Sequence, residues 1–330
     1  MKLQANVLFV FITLLFSIHS CNNSQEKARA EPKIPVIFDT DANNELDDQH
    51  ALAYLLSNQE IFEIVGVTVN ATRNGGLILE HYDEAMRILT LFNEEDLPLK
   101  KGANQTFGEI RANLSSGSYD GSEAVDFIIE ETKKCEAEKM VVIAIGKLTN
   151  VALAVEKDPE IMDKIRLVWL GSNYPEPGEY NLENDTSALT YLLASDIQFE
   201  MVNVAYGSTR GTDYIRVSVP EVDSIMPGKG PHVDPGITGR HGGTFHNFGD
   251  YSVNLFHHID VYGDPPSRAL FDVGAVAVVK NPAWGESSII PAPKYILDQW
   301  IEQPDNERRI ILWENFRKEA IIKDFYDVID

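Results

Sequence analysis

From Ile34 onward, short apolar runs alternate with stretches whose apolar residues recur at helical spacing. The runs at residues 34–40, 63–69, 139–145, 165–171, 200–204 and 275–279 are rich in Val and Ile, and several show no polar alternation. That is the pattern of strands buried on both faces. Residues 47–56, 77–92, 122–135, 150–156 and 187–193 instead place their apolar side chains on one helical face. Strand and helix alternating in this way predict an α/β fold, with one open, mainly parallel (mixed) sheet flanked by helices in a single domain over residues 34–330. In such sheets ligands bind outside the carboxyl ends of the strands, so the residues that follow each strand are the candidates for chemistry.

The chain ahead of Ile34 does not share this pattern. An apolar stretch at residues 7–16 follows Lys2; it is short for a bilayer span but has the length of a signal-peptide core. Ser17-Ile18-His19-Ser20-Cys21 then places a small residue directly before a cysteine, and it resembles the lipobox of bacterial lipoproteins. The resemblance implies a signal peptide at residues 1–20, a lipid on Cys21 and a polar tether to residue 33. The expected location is the bacterial cell envelope, with the lipid as the sole membrane contact.

Composition narrows the chemistry. With 330 residues, 44% of them hydrophobic, the chain can bury a sizeable core. Its formal net charge of −23 repels phosphate backbones and excludes nucleic-acid binding by a basic face. Cys21 and Cys135 are the only cysteines, so a disulfide scaffold and the Cys-rich zinc sites are excluded and any metal must be held by oxygen or imidazole. Directly after the first strand, Asp39, Asp41, Glu45, Asp47 and Asp48 crowd one strand-to-helix turn. A hard cation with six to eight oxygen ligands would relieve their repulsion. Equally, Asp47 and Asp48 could simply complement a helix dipole while Asp39 and Asp41 are solvated.

The same cluster, with three later stretches in order, resembles the inosine-uridine nucleoside hydrolases. The family's first strand ends in Asp-x-Asp, followed by Asp-Asp and a helix, as at Asp39, Asp41, Asp47 and Asp48. Gly146-Lys147-Leu148-Thr149-Asn150-Val151-Ala152 is similar to its Gly-Pro-Leu-Thr-Asn-Ile-Ala segment, with Lys147 in place of proline. Gly171-Ser172-Asn173, then Gly178-Glu179-Tyr180-Asn181 and Asp185, is similar to its substrate segment, and Phe271-Asp272-Val273-Gly274-Ala275 stands where the family has His-Asp-x-x-Ala. The resemblance implies calcium held by Asp41, Asp48, Asp272 and the carbonyl of Ile145. It also implies Asp41 as the base that takes a proton from a calcium-bound water, and a ribose held by Asp47, Asn173, Glu179 and Asn181. The implied reaction is hydrolysis of the N-glycosidic bond of ribonucleosides to ribose and free base, in purine and pyrimidine salvage. The expected partner is a ribonucleoside, and a homo-oligomer is left open. A riboside-binding lipoprotein with weakened catalysis, or a hydrolase of another N-riboside, are the alternative readings.

The chain departs from the family in two places that bear on the site. Five residues separate Asp41 from Asp47, more than the family pattern has, so Asn43, Asn44 or Glu45 forms an enlarged loop beside the metal. Phe271 replaces the histidine proposed to protonate the leaving base, and a phenyl ring can stack on a base but cannot protonate it. The glycine-rich segment 236–247 carries His241 and His246, which are therefore the candidate replacement acids if this loop folds over the site. A family asparagine after the second strand falls near both Asn70 and Asn74, with Asn74 ranked slightly ahead.

Overall fold

A computed structural model describes residues 32–330. The expectations for residues 1–20, Cys21 and most of the tether therefore lie outside the described residues. The centre of the fold is an eight-stranded sheet built from β1 (Ile34–Thr40), β2 (Phe62–Val69), β3 (Leu99–Lys101), β4 (Met140–Ala144), β5 (Ile165–Ser172), β6 (Gln198–Asn203), β7 (Glu286–Pro291) and β8 (Arg309–Glu314). Its spatial order is β7-β8-β6-β5-β4-β1-β2-β3, and every pairing is parallel except that of β7 with β8.

Both faces of this sheet are covered, which is why its central strands read as unbroken apolar runs. Val36 and Phe38 join one core with the helices Asp47–Leu56, Val273–Lys280 and Lys318–Val328; Ile37, Val142 and Trp169 join the other with Ser122–Lys134, Thr149–Lys157 and Thr186–Ala194. Among the described residues, no helix is long and apolar enough to cross a membrane.

The strand order places the site. From β1 the chain winds outward through β2 and β3, then returns to β4 on the other side of β1. This reversal opens a crevice between the carboxyl ends of β1 and β4, the position where α/β sheets of this type bind ligands. Asp39 braces that crevice: its buried carboxylate accepts hydrogen bonds from Thr68 Oγ1 (2.5 Å), Asn150 Nδ2 (2.7 Å) and Asn70 Nδ2 (3.0 Å). Asn150 Oδ1 in turn accepts the N–H of Ala103 at 2.9 Å, so one carboxylate ties together β1, the end of β2 and the helix after β4.

One expected strand is a helix. Residues 275–279 lie within the helix Val273–Lys280, of which Val273 to Val279 are buried. A short run of Ala, Val and Gly buried on all sides has the same apolar pattern in either state, so periodicity could not separate them. The antiparallel pair β7 and β8 at the sheet edge was not foreseen: Glu286 to Ile289 are exposed, so β7 lacks an apolar signature.

The Asp39 brace generates a test. Asp39→Ala leaves three buried donors without an acceptor, at a cost of roughly 1–3 kcal/mol each. Denaturant unfolding should show a loss of at least about 3 kcal/mol, and a loss within error of zero would show that the brace is dispensable.

Candidate active site

Asp39 lies within β1 and is bonded into the scaffold, whereas Asp41 stands one residue past the end of the strand and lines the crevice. Thr72 Oγ1 donates to Asp41 Oδ2 at 2.6 Å, which leaves Oδ1 available. Gly146, just after β4, closes the opposite wall: a Cβ there would stand 2.8 Å from the Asn70 amide and from Asp41 Oδ1. The chain then turns, with Asn44 N–H bonded to the Asp41 carbonyl at 2.8 Å and Asn43 Nδ2 bonded to the Gly75 carbonyl at 2.7 Å.

The helix Asp47–Leu56 begins with two carboxylates in its first turn, and Thr40 Oγ1 donates to Asp48 Oδ1 at 2.6 Å. A second helix, Val273–Lys280, starts against the first with Asp272 at its N-cap. The two helix starts bring one carboxylate oxygen each of Asp47, Asp48 and Asp272 within 4.8 Å of one another, all three residues being buried. Helix dipoles favour negative charge at these ends, yet burial costs more. Burial, then the charges around it, pushes Asp41 up to about 7; burial, then the charge of Glu45, does the same to Asp47. Asp48 and Asp272 are held well above the usual carboxylate range by burial and by the neighbouring aspartates.

These groups open into a cavity of about 570 Å³. On its far wall, the Glu179 carboxylate caps the helix Tyr180–Asn184 by accepting the Leu182 N–H at 2.9 Å, and burial pushes Glu179 up to about 7. Asn181 Nδ2 donates to the carbonyls of Ile145 (2.7 Å) and Leu170 (3.1 Å), so its Oδ1 remains available to a substrate hydroxyl. At the mouth, Phe271 meets Tyr206 edge to face, with ring centroids 5.9 Å apart, and Tyr262 completes the aromatic rim. Both arginines of the cavity are paired to acids: Arg268 with Glu45 and Arg216 with Asp213.

The structure thus brings Asp41, Asp47, Asp48, Ile145, Glu179, Asn181, Phe271 and Asp272 to one cavity. Asp47 stands in the three-carboxylate cluster in the position that the resemblance gave to Asp41, which lies alongside. Four expected residues are elsewhere. Asn74 is exposed and takes part through its N–H, bonded to Tyr180 Oη at 2.9 Å; the buried Asn70 is the asparagine beside Asp41 and Gly146. Asn173 does not line the cavity but pins its rim, accepting the Tyr206 N–H at 2.9 Å and donating to the Pro177 carbonyl at 3.0 Å. His241 and His246 do not reach the cavity. Their loop is a small hairpin, Ile237–Thr238 with Thr244–Phe245, held by Arg87 Nε on the Thr238 carbonyl at 2.9 Å. His241 stacks on His258, and His246 Nδ1 bonds the Val233 carbonyl at 2.9 Å.

Sequence reasoning missed Tyr206, Tyr262, Asp213, Arg216, Arg268 and Thr72. Tyr206 and Thr72 lie just after the expected strands 200–204 and 63–69, which is the one signal that pointed to them; the other four follow no expected strand, and only the tertiary fold assembles them. The enlarged loop after Asp41 does reach the site, with Asn44 and Glu45 on the cavity wall. Of the other motif residues, Asp185 is structural: it caps the helix Thr186–Ala194 through the Ala188 N–H and accepts Thr149 Oγ1 at 2.5 Å. Lys147 is buried where the family has proline, and its Nζ bonds the carbonyls of Asn104 (2.7 Å) and Gln105 (2.8 Å).

Comparison with known proteins agrees with this geometry. Residues 36–299 match the family described as inosine-uridine preferring nucleoside hydrolase. The probable uridine nucleosidase 2 of Arabidopsis thaliana is 26% identical over 218 residues, covering 58% of this chain and 61% of that protein. A non-specific ribonucleoside hydrolase of Klebsiella pneumoniae is 27% identical over 207 residues, covering 56% and 66% respectively. The matched segments thus span less than two thirds of these relatives' length. In fold, the chain is similar to a plant nucleoside hydrolase (TM-score 0.70, 17% identity, 90% of this chain and 99% of that one). It is similar also to the purine-preferring ribonucleoside hydrolase of Gardnerella vaginalis (TM-score 0.69, 19% identity, 89% and 98%).

The raised carboxyl groups predict how stability varies with pH. Because folding raises Asp41, Asp47 and Glu179 to about 7, their protonated forms stabilise the fold fully below the ordinary carboxylate range, and this is lost as pH rises through about 7. In protein stripped with chelator, added calcium should raise the melting temperature more at pH 8 than at pH 5.5, where it must displace protons. Asp48→Asn should raise the melting temperature of the stripped protein at pH 8 while shrinking the response to calcium. Equal calcium responses at both pH values would refute this account of the cluster.

Proposed function

The chain belongs to the inosine-uridine preferring nucleoside hydrolase family, and on that premise we propose that it hydrolyses the N-glycosidic bond of ribonucleosides, releasing ribose and free base with the help of calcium. The observation that carries this reading is the single cavity in which buried Asp41, Asp47, Asp48 and Asp272 face Glu179 and Asn181.

The donor set suits a hard divalent cation. Asp47, Asp48 and Asp272 offer oxygens close enough to share one ion, and among the described residues none of the three is salt-bridged to a lysine or arginine. With the Ile145 carbonyl and Asp41 beside them, they would hold it by oxygen alone, the ligation that calcium prefers. A cation there would neutralise part of the crowded charge and act as a Lewis acid.

The chain's own residues account for the remaining chemistry. Asp41 receives a proton from the attacking water at Oδ1, since Thr72 occupies Oδ2. Asn181 and Glu179 orient ribose hydroxyls, and the surrounding carboxylates favour positive charge as it develops on the sugar. Phe271 and Tyr206 offer the base an apolar edge and face.

The lipid on Cys21, and with it a place in the cell envelope, is part of the proposal. It is supported by the apolar stretch and the small residue ahead of that cysteine.

A nucleoside panel tests the activity. Purified protein with calcium should release reducing sugar from uridine or inosine, and chelator should abolish the release. Asp41→Asn should lower kcat by about a thousandfold, within the range for loss of a general base, while circular dichroism stays unchanged. If chelator leaves turnover intact, the cation has no part in it; if no nucleoside is cleaved, the proposed reaction is wrong.

A further inference from the structure

Resting on that reading, we infer that the preferred substrates are ribosides whose base carries a permanent positive charge, such as pyridinium ribosides or N7-alkylated purine ribosides. Three observations within the one cavity point to this class.

First, among the described residues the cavity offers no imidazole, because Phe271 fills the place beside Asp272 and both loop histidines are held elsewhere. A neutral base leaves as an anion unless something protonates it. A cationic base needs no donor. Its C1′–N bond breaks with the electron pair moving to the ring nitrogen, which cancels the positive charge. Water adds to C1′ and passes its proton to Asp41, so the products are ribose, a neutral base and one proton for solvent.

Second, the cavity is acidic beyond what one divalent cation offsets. Seven carboxylates line it against two arginines, and each arginine is already paired with one of the seven. Five carboxylates remain without an arginine, so their formal charge exceeds that of one divalent ion. Arg268 is further fixed by Nη1 on the Asp260 carbonyl at 3.2 Å.

Third, the rim where the base would lie is aromatic. The Phe271 and Tyr206 rings stand at 80°, so one presents a face where the other presents an edge, and Tyr262 is exposed beside them. Aromatic faces next to uncompensated carboxylates attract flat organic cations.

The test compares pairs that differ only in charge, using the calcium-loaded protein and subtracting uncatalysed hydrolysis. The kcat/KM for 7-methylinosine should exceed that for inosine by about a hundredfold or more, the scale of a missing general acid. Phe271→His should narrow that ratio by restoring a donor for inosine. Calorimetry supplies a readout without turnover: the N-methylnicotinamide cation should bind about tenfold more tightly than neutral nicotinamide, and Tyr206→Leu should erase the difference. Equal or better cleavage of inosine, with no charge preference in binding, overturns this inference while leaving the hydrolase reading intact. Charge-selective binding with no riboside cleaved would instead sink the hydrolase reading.

Discussion

Buried negative charge at the carboxyl end of β1 is the constraint around which this molecule is organised. Asp39, Asp41, Asp47 and Asp48 lie in one strand-to-helix junction, Asp272 starts a second helix beside it, and all five are nearly excluded from water. Only Asp39 is fully satisfied by neutral donors, from Thr68, Asn70 and Asn150. The other four have a single neutral hydrogen bond or a helix terminus for support, which does not offset the desolvation of a carboxylate. A fold with this much uncompensated charge has lower stability than its core alone would give, and it retains the arrangement only because packing elsewhere over-determines it. That packing is visible: all ten residues of Asp47–Leu56 are buried, as are Val273 to Val279 of the helix against it, so neither helix start can retreat into solvent.

The same constraint explains how the polar network around the crevice is divided. Residues that face away from the cavity are satisfied internally: Asn150 braces the strands, and Asp185 with Thr149 ties helix starts together. Residues that face the cavity keep atoms in reserve, as Asn181 does by spending only Nδ2 on the Ile145 and Leu170 carbonyls. A motif read from sequence mixes these two kinds, since Thr149-Asn150 and Glu179-Asn181 look equally functional until their hydrogen bonds are traced.

Much of the fold was legible because the helices and central strands obey simple periodicities. Residues 34–40 and 47–56 were delimited by pattern alone, as the structure shows them. Pattern failed where burial was complete or absent: the helix Val273–Lys280 is apolar all round, and β7 is largely exposed. In the site, Asp41 stood in the acidic cluster after the first strand, while Ile145, Glu179 and Asn181 came with the family resemblance. Arg268 and Asp213 were not found, because they reach the cavity from segments whose path depends on long-range packing, and Tyr206, although it follows an expected strand, stands in no motif. The histidines His241 and His246 drew attention for their chemical type, but type says nothing of position, and a hairpin held by Arg87 keeps them off the cavity.

The departures from the family pattern are coupled in space. Glu45, from the enlarged loop after Asp41, pairs with Arg268, which is three residues before Phe271. Without Glu45, Arg268 would present an uncompensated cation to the cavity, beside Asp47, and would repel a positive substrate. With Glu45 in place, the guanidinium is neutralised and also supports the rim, its Cζ lying 5.8 Å from the Tyr262 ring centroid. The lengthened loop therefore does for the electrostatics of the rim what the substitution of histidine by Phe271 does for its hydrogen bonding. Each removes a polar group that could engage the leaving base, and together they leave an aromatic surface over an acidic floor.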